Sequence, residues 1–483
     1  MTMPHNNLAR AFGVVAEANA SLPALIAQDE VLSYADLWRL VRRIAARLQA
    51  DGVGAQSLVA VNTQDMRASL GTVLATALLG AGFVVAGQLL AHAKVLKPTH
   101  FYRTPEMSGS TRVPFRVIDA DWLGADDGAE PTFVATDPDA NWLYLHTSGT
   151  TGTPKYLALS QRVVWKRSLA SATDFPFRKT TYAGFFSSTS RPFYARAMAA
   201  LLQACTLVEG MDLARWQSVG VNFVCGSPTQ VLEALGEMVI DPPFDRLEVS
   251  GAPLPGGSAA LYLRSFRRVL DVYGASETSK SFANEMSLDP DGGVLRTGVI
   301  FDSEVEIIDA LGRPCPPGVA GTVRVRNAYL ARGYVAAPEA SAQAFRDGWF
   351  HPGDIARWGP RGDLIILGRD DSTLNIGGYK ISANLVEFLA RSVPGVADAV
   401  CFQNPVPGAT QPVVCFLVFA PGADRDTATE ELLRLAAVKL GHVFARKNLR
   451  AIDKIPSHPD GRHDRKACQA LVMSYAHSGG EFE

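Results

Sequence analysis

Residues 145–155 read Leu-His-Thr-Ser-Gly-Thr-Thr-Gly-Thr-Pro-Lys, a run of hydroxyl side chains and glycines that ends in a lysine. A strand-like segment, Trp142 to Leu145, leads into it. Glycines let a backbone turn tightly and approach an anion, while hydroxyls and a lysine supply hydrogen bonds and charge. The spacing differs from GxxxxGK[ST], the P-loop of nucleoside triphosphatases. We therefore interpret the stretch as a phosphate-binding loop rather than a polar surface turn, with these members: Thr147, Ser148, Gly149, Thr150, Thr151, Gly152 and Lys155.

Helices and strands are expected to alternate on both sides of this loop. A helical spacing of apolar residues runs from Tyr34 to Asp51, behind a capping box formed by Ser33 and Asp36. The alternation predicts an α/β fold with a largely parallel sheet. The other predicted strands are Leu58 to Val61, Val219 to Val224, Leu247 to Ser250 and Val269 to Tyr273, and the other predicted helices are Thr229 to Leu235 and Ser258 to Phe266.

The pattern changes twice towards the C-terminus. Short strands separated by glycine and proline between Ser303 and Val325 predict a small antiparallel, barrel-like part. After Arg369 the spacing predicts a small α+β domain. We therefore expect a large layered domain over 1–369 and a small domain over 370–483. The predicted elements of the small domain are helices over Val386 to Val393 and Glu430 to Leu440, and strands over Val396 to Cys401 and Val413 to Phe419.

Composition sets outer bounds on the kind of protein. The 483 residues include 46 Lys and Arg and 48 Asp and Glu, which gives a net charge of −2 and argues against a protein that coats nucleic acid or an anionic membrane. Six cysteines without CxxC spacing predict reduced, mostly buried thiols. The uncharged segment 68–91 has the length of a membrane span, but its glycines favour a buried helix and then a buried strand. The first residues carry no signal-peptide pattern, so a cytoplasmic protein is expected.

Besides the phosphate-binding loop, the chain contains six further motifs, which are spread in order over nearly its whole length. With them the sequence resembles the adenylate-forming superfamily, which comprises acyl-CoA and aryl-CoA synthetases, stand-alone adenylation domains and luciferases. The resemblance implies that the C-terminal domain is a mobile lid on the large domain. The motifs are Leu-Ser-Tyr-Ala-Asp-Leu at 32–37, Ser-Gly-Ala-Pro at 250–253, Val-Tyr-Gly-Ala-Ser-Glu-Thr at 272–278, the segment 321–334 that ends in Gly-Tyr, Gly-Trp-Phe-His-Pro-Gly-Asp at 348–354 and Gly-Arg-Asp-Asp-Ser-Thr-Leu-Asn-Ile-Gly-Gly-Tyr-Lys at 368–380.

The resemblance implies a nucleotide site for ATP and Mg²⁺. Glu277 would help to bind Mg²⁺, and Asp354 and Arg369 would contact the ribose. Tyr273 would stack on adenine, although a core aromatic at a strand end remains an alternative. Asp371 would be the hinge and Gly378 would border the channel of the incoming thiol. The remaining nucleotide contacts implied by the motifs are Gly251, Ala252, Pro253, Gly274 and Ser276.

One position departs from the family pattern. Near the C-terminus the family has Gly-Lys-x-x-Arg, whereas this chain has Gly461-Arg462-His-Asp-Arg465. Arg462 thus replaces the lysine that bridges carboxylate and phosphate, and it keeps the charge without the compact geometry. Three interpretations stay open: Arg462 does the work less well, Lys454 or Lys466 reaches in, or adenylation is impaired.

The acid pocket is expected to follow the phosphate loop. The register places Ser190 and Arg191 where amino-acid-activating relatives carry an acidic residue for the α-amine. A cation there disfavours an α-amino acid, with a surface arginine as the alternative. The segment 221–228 resembles a second wall. Its small residues Cys225, Gly226 and Ser227, with Gly274 and Ala275, would leave room for an aryl or medium acyl group.

The resemblance therefore implies an AMP-forming acid–thiol ligase. It would convert a carboxylic acid to an acyl-adenylate and pass the acyl group to CoA or to the phosphopantetheine of a carrier protein, with no nucleic-acid partner and no insertion into a membrane. The alternatives are an enzyme that stops at the acyl-adenylate or passes it to an amine or other acceptor, and a nucleotide-binding relative that Arg462 has impaired.

Overall fold

The computed structural model describes residues 2–27, 30–85, 95–107, 115–124, 130–133, 135–147, 155–188, 190–252, 254, 258–309, 311–369, 373–376, 379–406, 409, 411–440, 444–457 and 463–477. The helices are α1 (Leu8–Ala18), α2 (Tyr34–Ala50), α3 (Met66–Leu79), α4 (Ala120–Leu123), α5 (Gln161–Ala170), α6 (Arg191–Leu202), α7 (Leu213–Ser218), α8 (Pro228–Leu235), α9 (Ser258–Ser265), α10 (Pro338–Ala344), α11 (Ala383–Arg391), α12 (Arg425–Leu440) and α13 (Arg465–His477).

The strands build three larger and two smaller groups. They are β1 (Pro23–Ile26), β2 (Val31–Ser33), β3 (Leu58–Asn62), β4 (Gly82–Val85), β5 (His100–Arg103), β6 (Arg116–Val117), β7 (Asn141–Thr147), β8 (Lys155–Ser160), β9 (Thr181–Gly184), β10 (Thr206–Val208), β11 (Phe223–Gly226), β12 (Phe244–Ser250), β13 (Phe266–Ala275), β14 (Ser279–Leu288), β15 (Val294–Ile300), β16 (Glu304–Ile308), β17 (Gly321–Arg326), β18 (Tyr334–Val335), β19 (Phe345–Arg346), β20 (Trp349–Phe350), β21 (Asp354–Trp358), β22 (Leu364–Arg369), β23 (Thr373–Ile376), β24 (Tyr379–Ser382), β25 (Val396–Gln403), β26 (Val413–Phe419) and β27 (Leu449–Ala451).

Two mainly parallel sheets carry the first 300 residues. One has the order β15-β14-β13-β12-β11-β9-β10-β1-β2, and its members from β13 to β1 are parallel. The other has the order β18-β8-β7-β4-β3-β5-β6, with a parallel centre from β7 to β6. One apolar core contains residues of both sheets and of helices α1, α2, α3 and α6. The prediction of an α/β fold with a largely parallel sheet is therefore confirmed.

The uncharged segment after residue 68 behaves as its composition predicts. Helix α3 begins behind Asp65, whose carboxylate caps Arg67 and Ala68, and every residue from Ala68 to Leu79 is buried. The helix ends at Gly80, which adopts φ 69° and leads into strand β4. A helix that is apolar all round needs partners on every side, and this one lies in the core. No helix in the described ranges is long and apolar enough to cross a membrane.

One predicted strand begins in the wrong place. We expected a strand over Val219 to Val224, but strand β11 starts at Phe223. Val219 is the C-cap of helix α7, and Gly220 turns the chain with φ 75°. Val221 belongs to an apolar core that also contains Trp216 and Leu235, and Val219 packs against it, so both valines are apolar without belonging to the sheet.

The C-terminal third contains the remaining sheets. Strands β16, β17 and β19 to β22 form an antiparallel sheet, as the glycine- and proline-rich pattern predicts. From Leu374 onwards a separate apolar core lies around strands β25 and β26 and helices α11 and α12. The domain boundary at 369/370 stays a prediction. All six cysteines are unpaired and buried, so the predicted burial is confirmed.

Candidate active site

Strands β7 and β8 hold the two ends of the phosphate loop. Thr147 lies opposite Lys155 in their antiparallel register, so the loop 148–154 joins two paired strands. The loop members Ser148, Gly149, Thr150, Thr151 and Gly152 lie outside the described residues. What the structure does fix is the position of Lys155, the charge at the end of the motif.

Tyr334 links Lys155 to Glu277, although the three residues come from three separate motifs. Strand β18 pairs with strand β8, and Tyr334 lies opposite Leu157. The ammonium of Lys155 is 5.1 Å from the centre of the Tyr334 ring. The Tyr334 hydroxyl donates a hydrogen bond to Glu277 Oε1 at 2.8 Å. Burial and the neighbouring Glu277 raise the pKa of Tyr334, so its hydroxyl stays protonated and remains a donor.

Arg167 holds the main chain around Glu277 through hydrogen bonds to carbonyl oxygens. Its guanidinium donates to the carbonyl oxygens of Ser276 at 2.9 Å, Glu277 at 2.7 Å and Tyr329 at 3.1 Å. Burial, with the nearby charge of Arg191, lowers the pKa of Arg167 to about 9, so it is still cationic at neutral pH. Arg167 is not predictable from the sequence, because an arginine in a mixed helix such as α5 has the signature of a surface position.

Asp354 is held from two sides. The Tyr273 hydroxyl donates to Asp354 Oδ2 at 2.6 Å, and Arg369 donates to Asp354 Oδ1 at 3.3 Å across the pair β21 and β22. Burial and then the charge of Asp354 raise the pKa of Tyr273, which keeps its hydroxyl a donor. The two predicted ribose residues therefore lie together. Tyr273 contacts Asp354 directly, and its ring also packs on the core of the antiparallel sheet.

The other predicted nucleotide residues lie at the ends of strands β12 and β13. Gly251 has φ 91°, a conformation that favours glycine, and it follows β12 directly. Gly274 is exposed and sits at a bulge in β13. Ala252 is half-buried beside Gly251, whereas Pro253 lies outside the described residues.

The predicted acid pocket meets the same loop from helix α6. Ser190 caps this helix through the amide of Phe193, and the Arg191 guanidinium is 3.5 Å from the carbonyl oxygen of Ala275. Arg191 therefore lies beside the Tyr-Gly-Ala-Ser-Glu motif. Strand β11 places Cys225 at full burial.

The expectation that Gly226 and Gly274 leave open space is wrong at these two positions. A methyl group on Gly226 would lie 2.9 Å from the Phe185 ring and 3.0 Å from Val231. A methyl group on Gly274 would lie 2.3 Å from the carbonyl oxygen of Ser279. Each glycine allows a close approach of neighbouring protein atoms instead of leaving a vacant volume.

Several C-terminal predictions fall outside the described residues, namely Asp371, Gly378 and Arg462. Ser457 and His463, the described residues on either side of the segment that contains Arg462, form an isolated antiparallel bridge. Arg465 is bound to Glu387 Oε1 at 2.6 Å, and Lys454 lies 3.5 Å from Glu233. Lys466 is an exposed residue in the first turn of helix α13.

The side chains present fit Mg²⁺ only if a nucleotide supplies part of its coordination shell. The described residues contain no group of three or more His, Cys, Asp or Glu side chains that could hold a metal alone. Glu277, which is 7% exposed, offers one carboxylate. Mg²⁺ commonly takes one or two protein carboxylates and completes its shell with phosphate oxygens and water. The residues present therefore fit a magnesium ion that arrives with a nucleotide.

The chain is similar to known proteins over most of its length. Residues 89–335 match the family of AMP-binding enzymes. The chain is 28% identical over 377 residues to a salicylyl-CoA synthase / salicylate adenylyltransferase of Streptomyces sp., a match that covers 71% of this chain and 65% of that one. It spans only 14% of surfactin synthase subunit 1 of Bacillus subtilis, at 26% identity over 95% of this chain.

Solved structures show the same fold. o-Succinylbenzoate coenzyme A synthetase (MenE) of Bacillus subtilis superposes with TM-score 0.78 at 20% identity, over 94% of this chain and 97% of that one. The amide bond synthetase McbA of Marinactinospora thermotolerans gives TM-score 0.79 at 21% identity, over 96% and 99%. The fold is that of the adenylate-forming enzymes. The chain belongs to the AMP-binding enzyme family, whose match covers slightly more than half of its length.

Proposed function

We propose that the protein activates a carboxylic acid with ATP to an acyl-adenylate and then transfers the acyl group to a thiol of CoA or of a carrier protein. The convergence of Lys155, Tyr334 and Glu277 supports this proposal most strongly, because it joins the end of the phosphate loop to the carboxylate that suits Mg²⁺. In the first step a carboxylate oxygen bonds to the α-phosphorus of ATP, and the bond to pyrophosphate breaks.

The chemistry brings two anions together, so the protein's work is to align and screen charge. The phosphate loop and Lys155 would bind the β- and γ-phosphates. Asp354 and Arg369 would hold the ribose, with Tyr273 fixing the carboxylate of Asp354 and bordering the adenine. The carbonyl contacts of Arg167 would keep Ser276 and Glu277 in register.

The acid is proposed to lack an α-amine. Arg191 lies 3.5 Å from the Ala275 carbonyl, and a guanidinium at this place repels an ammonium group. An assay of labelled pyrophosphate exchange into ATP with a panel of acids tests this directly. We expect aryl or acyl acids to support exchange and α-amino acids to fail. A clear preference for an α-amino acid would refute the proposal.

The acceptor is tested in a second stage. CoA, a phosphopantetheinylated carrier protein and an amine are offered to the enzyme with the best acid, and formation of thioester or amide is measured. We expect a thioester. Amide formation without thioester would favour the amine alternative, and ATP binding without exchange on any acid would favour an impaired nucleotide-binding relative.

Asp354→Asn is expected to raise the KM for ATP about tenfold with a smaller change in kcat. The variant loses the charged carboxylate that would accept hydrogen bonds from the ribose hydroxyls. The measurement is the ATP dependence of acid-stimulated exchange. Asp245→Asn is the control, since Asp245 lies in an exposed pair with Arg267. An unchanged KM for ATP in Asp354→Asn would remove Asp354 from the proposed ribose site.

Tyr334→Phe is expected to lower the exchange rate about tenfold, because it removes a hydrogen bond to the buried Glu277 carboxylate. The phenyl ring keeps the contact with Lys155, so the change isolates the hydroxyl. Exchange rate and unfolding temperature are measured together. A rate equal to that of the wild type would show that Glu277 needs no help from Tyr334.

Arg462→Ala is expected to lower pyrophosphate exchange far more than acyl transfer from a preformed acyl-adenylate. The reason is that the bridge between carboxylate and phosphate is needed only in the first half-reaction. Lys454→Ala and Lys466→Ala test the alternative donors in the same two assays. Equal losses in both half-reactions of Arg462→Ala would contradict the assignment.

A further inference from the structure

A small cavity is lined by Arg167 of helix α5 and Lys280 of strand β14. Its volume is about 10 Å³, which is room for about one water molecule or one monatomic ion. Ser171, Ser279 and Phe301 also line it, and all three are half-buried. The cavity therefore lies near the surface, where a small ion can enter from solvent.

Several hydrogen-bond donors of the cavity wall are not used by the protein. Lys280 Nζ donates to two carboxylate oxygens at 2.6 Å each, which leaves one of its three N–H groups. Arg167 makes four hydrogen bonds to carbonyl oxygens, which leaves one of its five N–H groups. In the described part of the chain, no hydrogen bond engages the hydroxyls of Ser171 and Ser279. The wall can thus donate to an acceptor inside the cavity.

The cavity borders a part of the interior that holds more cations than carboxylates. Three cations meet two carboxylates in a set of ion pairs whose side chains are between 0% and 14% exposed. Arg167, which is 7% exposed, adds a fourth cation in the wall of the cavity. The members of the set are Arg196, Arg246, Lys280, Asp174 and Glu248.

Neighbouring acidic groups do not remove this excess. The charge of Glu277 acts on Arg167, but even with Glu277 four cations face three carboxylates. Tyr334 already donates to Glu277, and the proposed function assigns the charge of Glu277 to Mg²⁺. Burial raises the pKa of the Cys225 thiol to about 12, so this neighbour of the ion pairs stays neutral. Buried positive charge without a counterion is costly, and an anion would lower that cost.

The volume and the charge together select the kind of ligand. A water molecule fits the volume but brings no charge, whereas sulfate, phosphate and carboxylates are too large for it. A halide is small and accepts from several N–H and O–H donors at once. Asp174, which also lines the cavity, does not exclude an anion, because Arg246 and Lys280 bind both of its oxygens.

We propose that the cavity between Arg167 and Lys280 is a binding site for a monatomic anion, with chloride as the ligand. The anion accepts from the unused donors of the wall and reduces the excess of buried positive charge. Arg167 also holds the carbonyl oxygens of Ser276 and Glu277, so the ion stabilises the anchor of that segment.

Bromide is the probe in crystals, because its anomalous scattering distinguishes it from water. Crystals of the full chain grown in bromide are expected to show an anomalous peak in the cavity, within hydrogen-bond distance of Arg167 and Lys280. In solution, the unfolding temperature is measured in chloride, bromide, gluconate and sulfate at equal ionic strength. We expect it to be about 1 °C or more higher in about 0.1 M halide than in gluconate, as a tenfold excess over Kd would give.

Two variants connect the effect to the cavity. Lys280→Met is expected to abolish both the bromide peak and the halide effect on unfolding. Ser171→Ala removes one hydroxyl from the wall and is expected to weaken bromide binding about threefold. The matched controls are Arg268→Met, since Arg268 is in an exposed pair on the same sheet, and Ser218→Ala, since Ser218 is an exposed serine at the end of another helix. If Lys280→Met does not fold, Ser171→Ala and the wild-type crystals still decide.

The outcomes separate a halide from water and from a general effect of salt. A bromide peak in the cavity, with a halide effect that is lost in Lys280→Met and kept in both controls, supports the inference. Electron density without an anomalous signal, with equal unfolding temperatures in chloride and gluconate, overturns it. Sulfate as effective as chloride, or a halide effect unchanged in both variants, overturns it as well. None of these measurements uses pyrophosphate exchange, so their failure leaves the proposed function intact.

Discussion

Glu277→Gln is expected to reduce acid-dependent pyrophosphate exchange about 100-fold or more without unfolding the protein. Glutamine has the same size and can still accept the hydrogen bond from the Tyr334 hydroxyl, so the change removes chiefly the negative charge. That charge is what we propose to bind Mg²⁺ against the phosphates of ATP. The rate of exchange as a function of Mg²⁺ concentration measures the effect.

The matched control for this prediction is Glu285→Gln. Glu285 lies on strand β14, close in sequence to Glu277, and pairs with Arg268 at the surface. Its replacement is expected to leave exchange unchanged. Exchange in Glu277→Gln within about twofold of the wild type, at every Mg²⁺ concentration, would mean that Glu277 has no part in the reaction.

Arg167→Met is expected to lower the free energy of unfolding by about 3 kcal/mol or more and to abolish exchange. Methionine fills much of the buried volume but leaves the carbonyl oxygens of Ser276, Glu277 and Tyr329 without the donor that they share. The segment with Ser276 and Glu277 then loses its anchor. Chemical denaturation and the exchange assay measure the two effects.

Arg162→Met provides the comparison for Arg167. Arg162 lies on the same helix and forms an exposed pair with Asp139, which is 2.9 Å away. An exposed pair contributes at most about 1 kcal/mol, so this variant is expected to fold and react normally. Equal stability and activity in the two variants would contradict the anchoring role of Arg167.

Much of the fold follows from local patterns. The capping box at Ser33 and the helix behind it, the buried helix α3 and the strand β26 lie where the sequence predicts them, because each is specified by residues close in the chain. The predicted start of strand β11 is wrong, because Val219 is the apolar C-cap residue of helix α7 and not part of a strand. Local apolarity reports burial and does not distinguish a strand from a buried turn.

The sequence motifs predict which residues belong to the candidate site, but they do not predict how these residues contact one another. The resemblance pointed to Lys155, Glu277, Asp354 and Arg369, and their roles stay predictions. That Tyr334 lies between two of them follows from the pairing of β18 with β8, which joins residues far apart in sequence.

Two further features carried no sequence signal at all. One is Arg167, and the other is the set of buried ion pairs in which Asp174 and Glu248 bind three cations from separate elements, namely Arg196, Arg246 and Lys280. Single charges in a sequence usually indicate exposed positions. Only the tertiary structure shows that they meet in the interior.

Acid-dependent exchange of labelled pyrophosphate into ATP tests the central claim most directly. The assay detects reversible formation of an acyl-adenylate and needs neither the acceptor nor the second half-reaction. We predict exchange that requires Mg²⁺ and a carboxylic acid without an α-amine, and that is lost in Glu277→Gln. Binding of ATP without exchange across the whole acid panel, or exchange that is independent of added acid, would contradict the account.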